Sequence, residues 1–318
     1  MKTSTGARVL LAALATVAAA QMARAALIPP YMIDSVVAIG AMMNTNPPGQ
    51  TPKLEWVTLG TGFFYGYKVK EDTDPARREY AVYLVTAGHV ISEFRANSQA
   101  SASHVTLAVR INSNDPTEPA RTFEMPDHSP DGKGTWFFHP KLNPPAPDND
   151  IAGAQVNADE IKKLGATFLT NDEAAADTRK LNNIGTAAGD GVFVLGFPMN
   201  LAGEQRNYVI VRQGIIARIA ELLDKTSGTF LLDSFVFPGN SGSPVILKPE
   251  ITSIQGTAAN GRALLIGVVI DYKPYTDVAI SQQTHRARIA FEENSGLADV
   301  IPLDRVDEAI AAYRSRQE

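Results

Sequence analysis

Short runs of β-branched and aromatic residues, separated by Gly, Pro, Asn and Asp, dominate the chain from residue 35 onward. Runs of this kind with turn residues between them predict many short strands, and they favour a barrel or sandwich over a sheet whose strands alternate with long helices. The predicted strands are residues 35–41, 62–69, 80–86, 105–111, 135–139, 151–156, 192–196, 208–217, 229–233, 244–247 and 263–271. The pattern therefore predicts an all-β protein.

A different pattern, with apolar residues three and four positions apart, occurs near the end of the chain. Leu303, Val306, Ile310 and Tyr313 share one face of a predicted helix over residues 303–316. Acidic residues near its start and basic residues near its end suit the helix dipole. We expect the apolar face of this helix to pack on the core.

A polar, partly helical segment at residues 161–185 divides the predicted strands into two groups. The segment predicts a linker between a first unit, residues 26–160, and a second unit, residues 186–318. Within the first unit, residues 112–134 are rich in Asn, Asp, Pro and Gly and predict a surface loop.

The first 25 residues have the pattern of a cleavable signal peptide. Lys2 and Arg8 precede an apolar run at residues 9–20, and residues 23–25 read Ala-Arg-Ala, the small-x-small pattern of a cleavage site. An apolar run of about twelve residues is too short to span a bilayer, which needs roughly 20. We expect export to the periplasm or the extracellular space, with no stable membrane insertion after cleavage.

Three short motifs carry candidate chemistry, and they follow one another in the order His, Asp, Ser. Residues 86–90 read Thr-Ala-Gly-His-Val, residues 148–152 read Asp-Asn-Asp-Ile-Ala, and residues 238–244 read Pro-Gly-Asn-Ser-Gly-Ser-Pro. Chymotrypsin-type serine proteases use this order, whereas subtilisins run Asp, His, Ser and α/β-hydrolases run Ser, acid, His.

On these motifs the chain resembles the trypsin-like peptidases of the chymotrypsin clan. Among them it resembles the bacterial exported high-temperature-requirement proteases, which carry Gly-Asn-Ser-Gly at the nucleophile. Residues 60–63 (Gly-Thr-Gly-Phe) and 192–198 (Val-Phe-Val-Leu-Gly-Phe-Pro) resemble strands of the family. The resemblance implies a chymotrypsin-like fold, a double six-stranded β-barrel with a C-terminal helix, and it implies two barrels for the two units.

The resemblance also implies a catalytic triad of His89, Asp150 and Ser241. A serine hydroxyl is a poor nucleophile and needs a base that is neutral near pH 7, a task that suits imidazole. A buried carboxylate then fixes the imidazole tautomer. Asp150 is followed by Ile-Ala, as in the family; Asp148 is the alternative acid, although its place beside Pro147 is more typical of a turn.

The same resemblance assigns the groups around the substrate. Gly239 and Ser241 are expected to form the oxyanion hole with their N–H groups, because glycine tolerates the unusual backbone conformation that this requires. The family pattern places the floor of the primary pocket at Phe235, with walls from Val268 and Val269. Because no acidic residue occupies the floor position, we expect a preference for small or apolar side chains over Lys and Arg.

Three residues depart from the family pattern around the triad. Gly88 stands where Ala is usual. Asn240 stands where trypsin-like zymogens have an Asp that pairs with an amine freed by activation cleavage, and because an amide cannot form that ion pair we expect no such activation. Ser243 replaces a glycine, and we expect its hydroxyl to narrow the cleft or to modulate the rate.

Composition narrows the classes of function. The 318 residues are 44% hydrophobic and 20% charged, enough for a full core, and the net charge of −5 offers no basic face for nucleic acid. There is no Cys, and the five His residues lack metal-ligand spacing, so we expect no disulfide, metal or cofactor.

The sequence therefore predicts an exported serine endopeptidase that acts on protein or peptide substrates through an acyl-enzyme. Two alternatives stay open. One is a catalytically weak trypsin-like domain that binds peptides or proteins, and the other is an esterase that uses the same triad. The oligomeric state is left open.

Overall fold

The structure is a computed structural model, and it describes residues 27–317 apart from residues 48, 101–104, 129–131, 143–146 and 251–258. The predicted signal peptide, residues 1–25, lies outside the described residues. Within the described part, no helix has both the length and the apolar character needed to cross a bilayer.

The described residues form fourteen strands and six α-helices. The strands are β1 Val36–Asn44, β2 Leu54–Lys70, β3 Glu79–Ala87, β4 Ala108–Ile111, β5 Arg121–Glu124, β6 Trp136–Phe138, β7 Ile151–Val156, β8 Leu169–Thr170, β9 Gly191–Gly196, β10 Ile210–Arg218, β11 Phe230–Asp233, β12 Pro244–Leu247, β13 Leu264–Ile280 and β14 Ala287–Pro302. The helices are α1 Pro30–Asp34, α2 Gly88–Ala100, α3 Ala158–Lys163, α4 Thr178–Asn183, α5 Ala220–Leu223 and α6 Leu303–Arg314.

The first eight strands form one sheet. Its hydrogen-bonded order is β5-β4-β1-β2-β3-β7-β6, and β8 pairs in parallel with β2. The sequence predicted a six-stranded barrel here, and the described strands form an eight-stranded sheet instead. The additional strands are β5 and β8, which arise where a loop and a linker were predicted and which pair with β4 and β2.

The last six strands close into a barrel in the order β10-β11-β14-β13-β12-β9. All of its described ladders are antiparallel. Every residue of β9 and β12 is buried, which explains why these strands read as unbroken apolar runs rather than as alternating patterns. The predicted all-β class, six-stranded second barrel and C-terminal helix are confirmed.

Helix α6 joins the two halves. Leu303, Val306 and Ile310 are buried as the 3-4 spacing predicted, and the Tyr313 ring stacks on Phe137 of the first sheet with 4.5 Å between ring centroids. The helix also packs against β13 and β14 of the barrel. Its apolar face therefore lies in the core between the sheet and the barrel.

The segment that connects the halves contains two short capped helices. The Asn157 side chain accepts hydrogen bonds from the first turn of α3, and the Asp177 side chain accepts one from Lys180 in α4. Between these helices, β8 belongs to the first sheet, and Ala175 bridges to Leu265 of the barrel. The chain thus passes from sheet to barrel between α3 and α4; the predicted domain limits at 160 and 185 stay predictions.

The hairpin of β13 and β14 is much longer than the sequence predicted. The predicted strand at 263–271 continues to Ile280, and β14 was not predicted at all. The first seven residues of β13 are buried, whereas the remaining ten are exposed or half-buried. The pairing nevertheless continues to Ile280 and Ala287, so that the hairpin projects from the barrel.

Candidate active site

The register between β3 and β7 brings His89 and Asp150 together. The two strands are antiparallel with Ala87 opposite Ile151, so the residues that follow β3 face those that precede β7. The Gly88 N–H donates to the Asp150 carbonyl oxygen at 3.0 Å and extends this ladder by one step. His89 then lies in the first turn of α2, a helix that the sequence analysis missed.

His89 and Asp150 are joined twice. The His89 ring nitrogen Nδ1 lies 2.6 Å from Asp150 Oδ2, and the His89 backbone N–H donates to Asp150 Oδ1 at 2.8 Å. A Cβ at Gly88 would come within 2.7 Å of Asp150 Oδ1, which gives a physical reason for glycine at this position. With Nδ1 engaged as a donor, the other ring nitrogen, Nε2, is the one that can accept a proton.

The pKa of His89 is raised above its ordinary value by opposing influences. Burial is the largest and lowers the pKa, but the hydrogen bond to Asp150 and the negative charges of Asp150, Glu93 and Asp271 outweigh it. The imidazolium form is therefore stabilised. A base that must first be neutral and then carry a positive charge benefits from this arrangement.

Asp148, the alternative acid, lies elsewhere. It belongs to a short 3₁₀ turn at Pro147–Asn149, and its side chain lies against Gly228, where an added Cβ would come within 2.7 Å of Asp148 Cβ. The structure thus brings Asp150 to the imidazole and turns Asp148 toward the second half of the chain.

Ser241 lies in an irregular loop between β11 and β12. Its hydroxyl donates to the Ile270 carbonyl at 3.4 Å, and its own carbonyl accepts from the Thr61 N–H at 2.9 Å. Among the described residues no hydrogen bond joins Ser241 to His89, although both line the same cleft.

The backbone of Gly239 has the unusual conformation that the predicted oxyanion hole requires. Its φ of +98° is in the left-handed region, and a Cβ there would collide with the Phe197 carbonyl. The Pro238 carbonyl accepts from Met199 N–H at 2.7 Å. Because C=O and N–H point in opposite directions across a trans peptide, the Gly239 N–H points away from Met199. Within the described residues neither this N–H nor that of Ser241 has a protein acceptor.

Asn240 and Ser243 form hydrogen bonds on the buried side of this loop. Asn240 is 1% exposed; its Oδ1 accepts from the Phe237 N–H at 3.1 Å, and its Nδ2 donates to Ser243 Oγ at 3.3 Å. Ser243 is fully buried and lies outside the lining of the cleft, so its hydroxyl does not narrow the cleft as expected. The Asn240 amide is thus satisfied within its own loop.

Thr61 connects the loop to the first sheet, a role that the sequence analysis did not assign. Besides its N–H bond to Ser241, its hydroxyl donates to the Gly239 carbonyl at 2.7 Å and accepts from the Phe197 N–H at 3.1 Å. The side chain is completely buried. One residue of β2 therefore fixes both Ser241 and Gly239 relative to the wall that carries His89.

The cleft between the two halves has a volume of about 1080 Å³, room for several residues of a peptide. Besides the triad, its lining near Ser241 is largely apolar. The residues from the barrel side are Val236, Phe237, Pro238, Gly239, Asn240, Val269, Ile270, Asp271 and Tyr272.

This lining changes the assignment of the primary pocket. Val269 lines the cleft as expected, whereas Val268, which is fully buried, is not among the lining residues. Phe235 is 49% exposed and lies over Gly296, outside the lining; its ring stacks beside Phe237 with 6.5 Å between centroids. Of these two rings, Phe237 is the one that lines the cleft.

No group of three or more His, Asp or Glu side chains within the described part could hold a metal ion. The acid and the base of the cleft are engaged with one another instead. The chemistry available at this site is that of an alcohol nucleophile, an imidazole base and two backbone donors.

A closed six-stranded barrel, a second sheet and a C-terminal helix, with His, Asp and Ser bordering the cleft between the halves, define the chymotrypsin-like class. The family model described as a trypsin-like peptidase domain matches residues 60–249. That span is more than half of the chain, and the chain belongs to the trypsin-like peptidase family. A comparison with curated proteins gives no match. The narrower resemblance to the high-temperature-requirement proteases is not confirmed and stays a prediction.

Proposed function

We propose that this protein is an exported serine endopeptidase that hydrolyses peptide bonds through Ser241, His89 and Asp150. The observation that carries the proposal is that these side chains border one cleft, where Asp150 holds His89 Nδ1 and the N–H groups of Gly239 and Ser241 have no acceptor among the described residues. A module that only binds peptides has no need of this combination. Family membership supports the peptidase class.

The proposed reaction has two steps. Ser241 Oγ attacks the scissile carbonyl carbon while its proton passes to His89 Nε2, and the developing oxyanion accepts hydrogen bonds from the N–H groups of Gly239 and Ser241. The C–N bond then breaks as His89 gives the proton to the leaving amine. Water, deprotonated by the same imidazole, hydrolyses the acyl-enzyme and releases the carboxylate product.

We propose that the primary pocket prefers small or apolar side chains over Lys and Arg. Phe237, Val269 and Ile270 line the cleft beside Ser241, and a cation among them would lose its hydration. Profiling a mixed peptide library measures the preference. Dominant cleavage after Lys or Arg would refute this part and leave the triad untouched.

The export part of the proposal rests on residues 1–25 alone. The mature chain would begin at Ala26, in the periplasm or outside the cell. N-terminal sequencing of the protein recovered from those compartments tests it, and an uncleaved chain that stays in the cytoplasm would contradict it.

An active-site fluorophosphonate separates an enzyme from a binding module. We expect it to label Ser241 in the wild type and to leave Ser241→Ala unlabelled, since only an activated serine reacts. Turnover of casein against turnover of a small ester then distinguishes the endopeptidase from an esterase. Absence of labelling in folded wild-type protein would favour the binding module.

A further inference from the structure

The outer half of the β13–β14 hairpin leaves large apolar side chains in solvent. Residues 273–294, called the arm below, lie beyond the barrel. Tyr275 is 60% exposed, Ile289 57% and Phe291 52%. A two-stranded ribbon alone is only marginally stable in water, and grouped apolar side chains on a surface mark a site of interaction.

These three side chains share one face of the arm. Directly opposite residues of an antiparallel pair lie on the same face, as do residues two apart in one strand. The register places Tyr275 opposite Glu293, Asp277 opposite Phe291, and Ala279 opposite Ile289. Tyr275, Phe291 and Ile289 therefore form a continuous stripe, and the small Ala279 leaves Ile289 accessible from the outer edge of β13.

That outer edge of β13 is unpaired along the arm. Strand β12 ends its ladder with Pro244 opposite Val268, and Val269 exchanges backbone hydrogen bonds with the nucleophile loop. From Asp271 to Ile280, no described strand pairs with the side of β13 that faces away from β14. An open antiparallel edge is a template for an extended peptide.

The open edge is continuous with the cleft. Ile270, Asp271 and Tyr272 line the cleft beside Ser241, and the arm begins at the next residue of the same strand. A strand added antiparallel to β13, the sense of the described barrel ladders, would run from the arm tip toward Ser241. It would therefore place residues N-terminal to the scissile bond on the arm. The stretch from Tyr272 to Ile280 accommodates about eight residues at about 3.3 Å each.

We infer that the arm extends the substrate-binding surface and takes an extended, apolar-rich polypeptide segment on the N-terminal side of the scissile bond. Backbone hydrogen bonds to the edge of β13 hold the segment, and its alternate side chains pack on Tyr275 and, across Ala279, on Ile289. The inference rests on the proposed function. Binding to the arm would make long, unfolded polypeptides better substrates than short peptides.

Three fluorogenic peptides with one common cleavage sequence test the inference. The short peptide has four residues before the scissile bond; the second adds eight residues with alternating Leu and Thr at its N-terminus; the third adds the same eight at its C-terminus. For the wild type we expect kcat/KM about tenfold higher for the N-terminal extension, as for a few buried apolar contacts, and no gain for the C-terminal one.

Two variants assign the gain to the arm. Tyr275→Ser with Ile289→Ser should abolish the gain and leave kcat/KM for the short peptide unchanged. Replacement of residues 275–293 by Asn-Gly, which keeps Asn294 and its hydrogen bond to the Val236 carbonyl, should also abolish the gain. The matched control is Leu54→Ser with Phe123→Ser, which removes exposed apolar side chains from the first sheet and should retain the gain. If the shortened protein does not fold, the double Ser variant decides.

An unchanged preference for the extended peptide in the double Ser variant would overturn the inference while leaving the proposed peptidase intact. Dimerisation in sedimentation experiments that the same substitutions abolish, without a change in peptide preference, would show that a second copy covers the arm and would also overturn it. Failure of the wild type to cleave any of the three peptides would instead refute the proposed function itself.

Discussion

The two walls of the cleft are built in different ways. The first wall takes His89 and Asp150 from adjacent ends of one regular ladder, in which Ala87 opposite Ile151 sets the distance between them. The second wall takes Ser241 from an irregular loop whose shape depends on a left-handed Gly239 and a buried Asn240.

The difference determines what each wall tolerates. Many backbone hydrogen bonds together fix the positions of β3 and β7. Substitution of a single side chain on these strands therefore affects mainly the packing of the core. The loop depends on a few contacts, and the bonds from Thr61 supply several of them. Apart from His89 and Asp150 themselves, we expect substitutions that damage activity without unfolding the protein to be concentrated in the loop and in Thr61.

The largest effect should come from the groups that meet across the cleft. Ser241→Ala, His89→Ala and Asp150→Asn should each lower kcat by about 10⁴-fold or more, and the double variants should lose little beyond the single ones, because the three groups act as a unit. Steady-state hydrolysis of the best library peptide measures this. Near-normal turnover by Ser241→Ala would remove it as the nucleophile, and a dead Asp148→Ala beside an active Asp150→Asn would move the acid.

The second largest loss of activity should come from adding a side chain to Gly239 in the loop. Gly239→Ala puts a Cβ into the Phe197 carbonyl at a φ that L-residues avoid, so the loop must shift and one oxyanion donor is lost. We expect kcat to fall by about 10² to 10³-fold with KM little changed. Gly261→Ala is the matched control, since a Cβ there meets nothing within 4 Å. Equal activity of the two variants would show that the Gly239 N–H takes no part.

Substitution of Thr61, which connects the two walls, should cause a smaller loss of kcat. Thr61→Val keeps the shape of the side chain but removes the hydroxyl that bonds to Gly239 and Phe197. We expect kcat to fall about tenfold, the cost of about one buried hydrogen bond, and Thr61→Ser to restore most of it. A loss that Ser does not restore would mean that Thr61 acts only through packing.

The sequence predicted the regular wall better than the irregular one. The motifs at His89 and Asp150 mark strand ends, and strand ends can be read from local patterns. The sequence already favoured Asp150 over Asp148, and the register brings Asp150 next to His89. The pocket at Phe235 was placed by counting back along the loop. A count cannot tell toward which side a loop residue points, and Phe237 lines the cleft instead.

Two elements escaped prediction for other reasons. Helix α2 begins directly at the end of β3 with Gly88, without the Ser, Thr, Asp or Asn that usually announces a helix start. The arm carries mixed polar and apolar residues on both faces, because neither face packs on the core. Alternating apolar and polar residues predict a strand because one of its faces is buried. The arm has no buried face and therefore lacks this alternation.

The pH dependence of activity tests the electrostatics of the regular wall. His89 must be neutral to accept the serine proton, so kcat/KM should rise as pH increases through the pKa of His89, which is raised above its ordinary value. Glu93→Gln removes one negative charge that raises this pKa, and it should move the midpoint toward lower pH. Lys273→Gln changes a charge at the arm and serves as the control. A profile without an inflection would exclude His89 as the base.

The smallest effect should be on the stability of the protein, and it should come from Asp307 in helix α6, which packs between the two halves. Burial, opposed by the hydrogen bond from Tyr65 but reinforced by the charges of Asp304 and Asp177, raises the pKa of Asp307 from 3.8 to about 7. Folded protein therefore holds a proton that unfolded protein has released between these pH values, and the free energy of unfolding should fall as pH rises through this window.

Asp307→Asn removes the free-energy cost of a buried negative charge. The Asn side chain still offers an oxygen to the Tyr65 hydroxyl, which lies 2.9 Å from Asp307 Oδ1. We expect the variant to be more stable than the wild type by about 1 to 3 kcal/mol at pH 8. The difference should shrink strongly toward pH 4, close to the unfolded-state pKa of 3.8, where the unfolded chain begins to bind the proton as well. Urea unfolding at the two pH values measures it. Since Asp307 lies outside the cleft, kcat should not change; a stability gain that is the same at both pH values would mean that charge is not its cause.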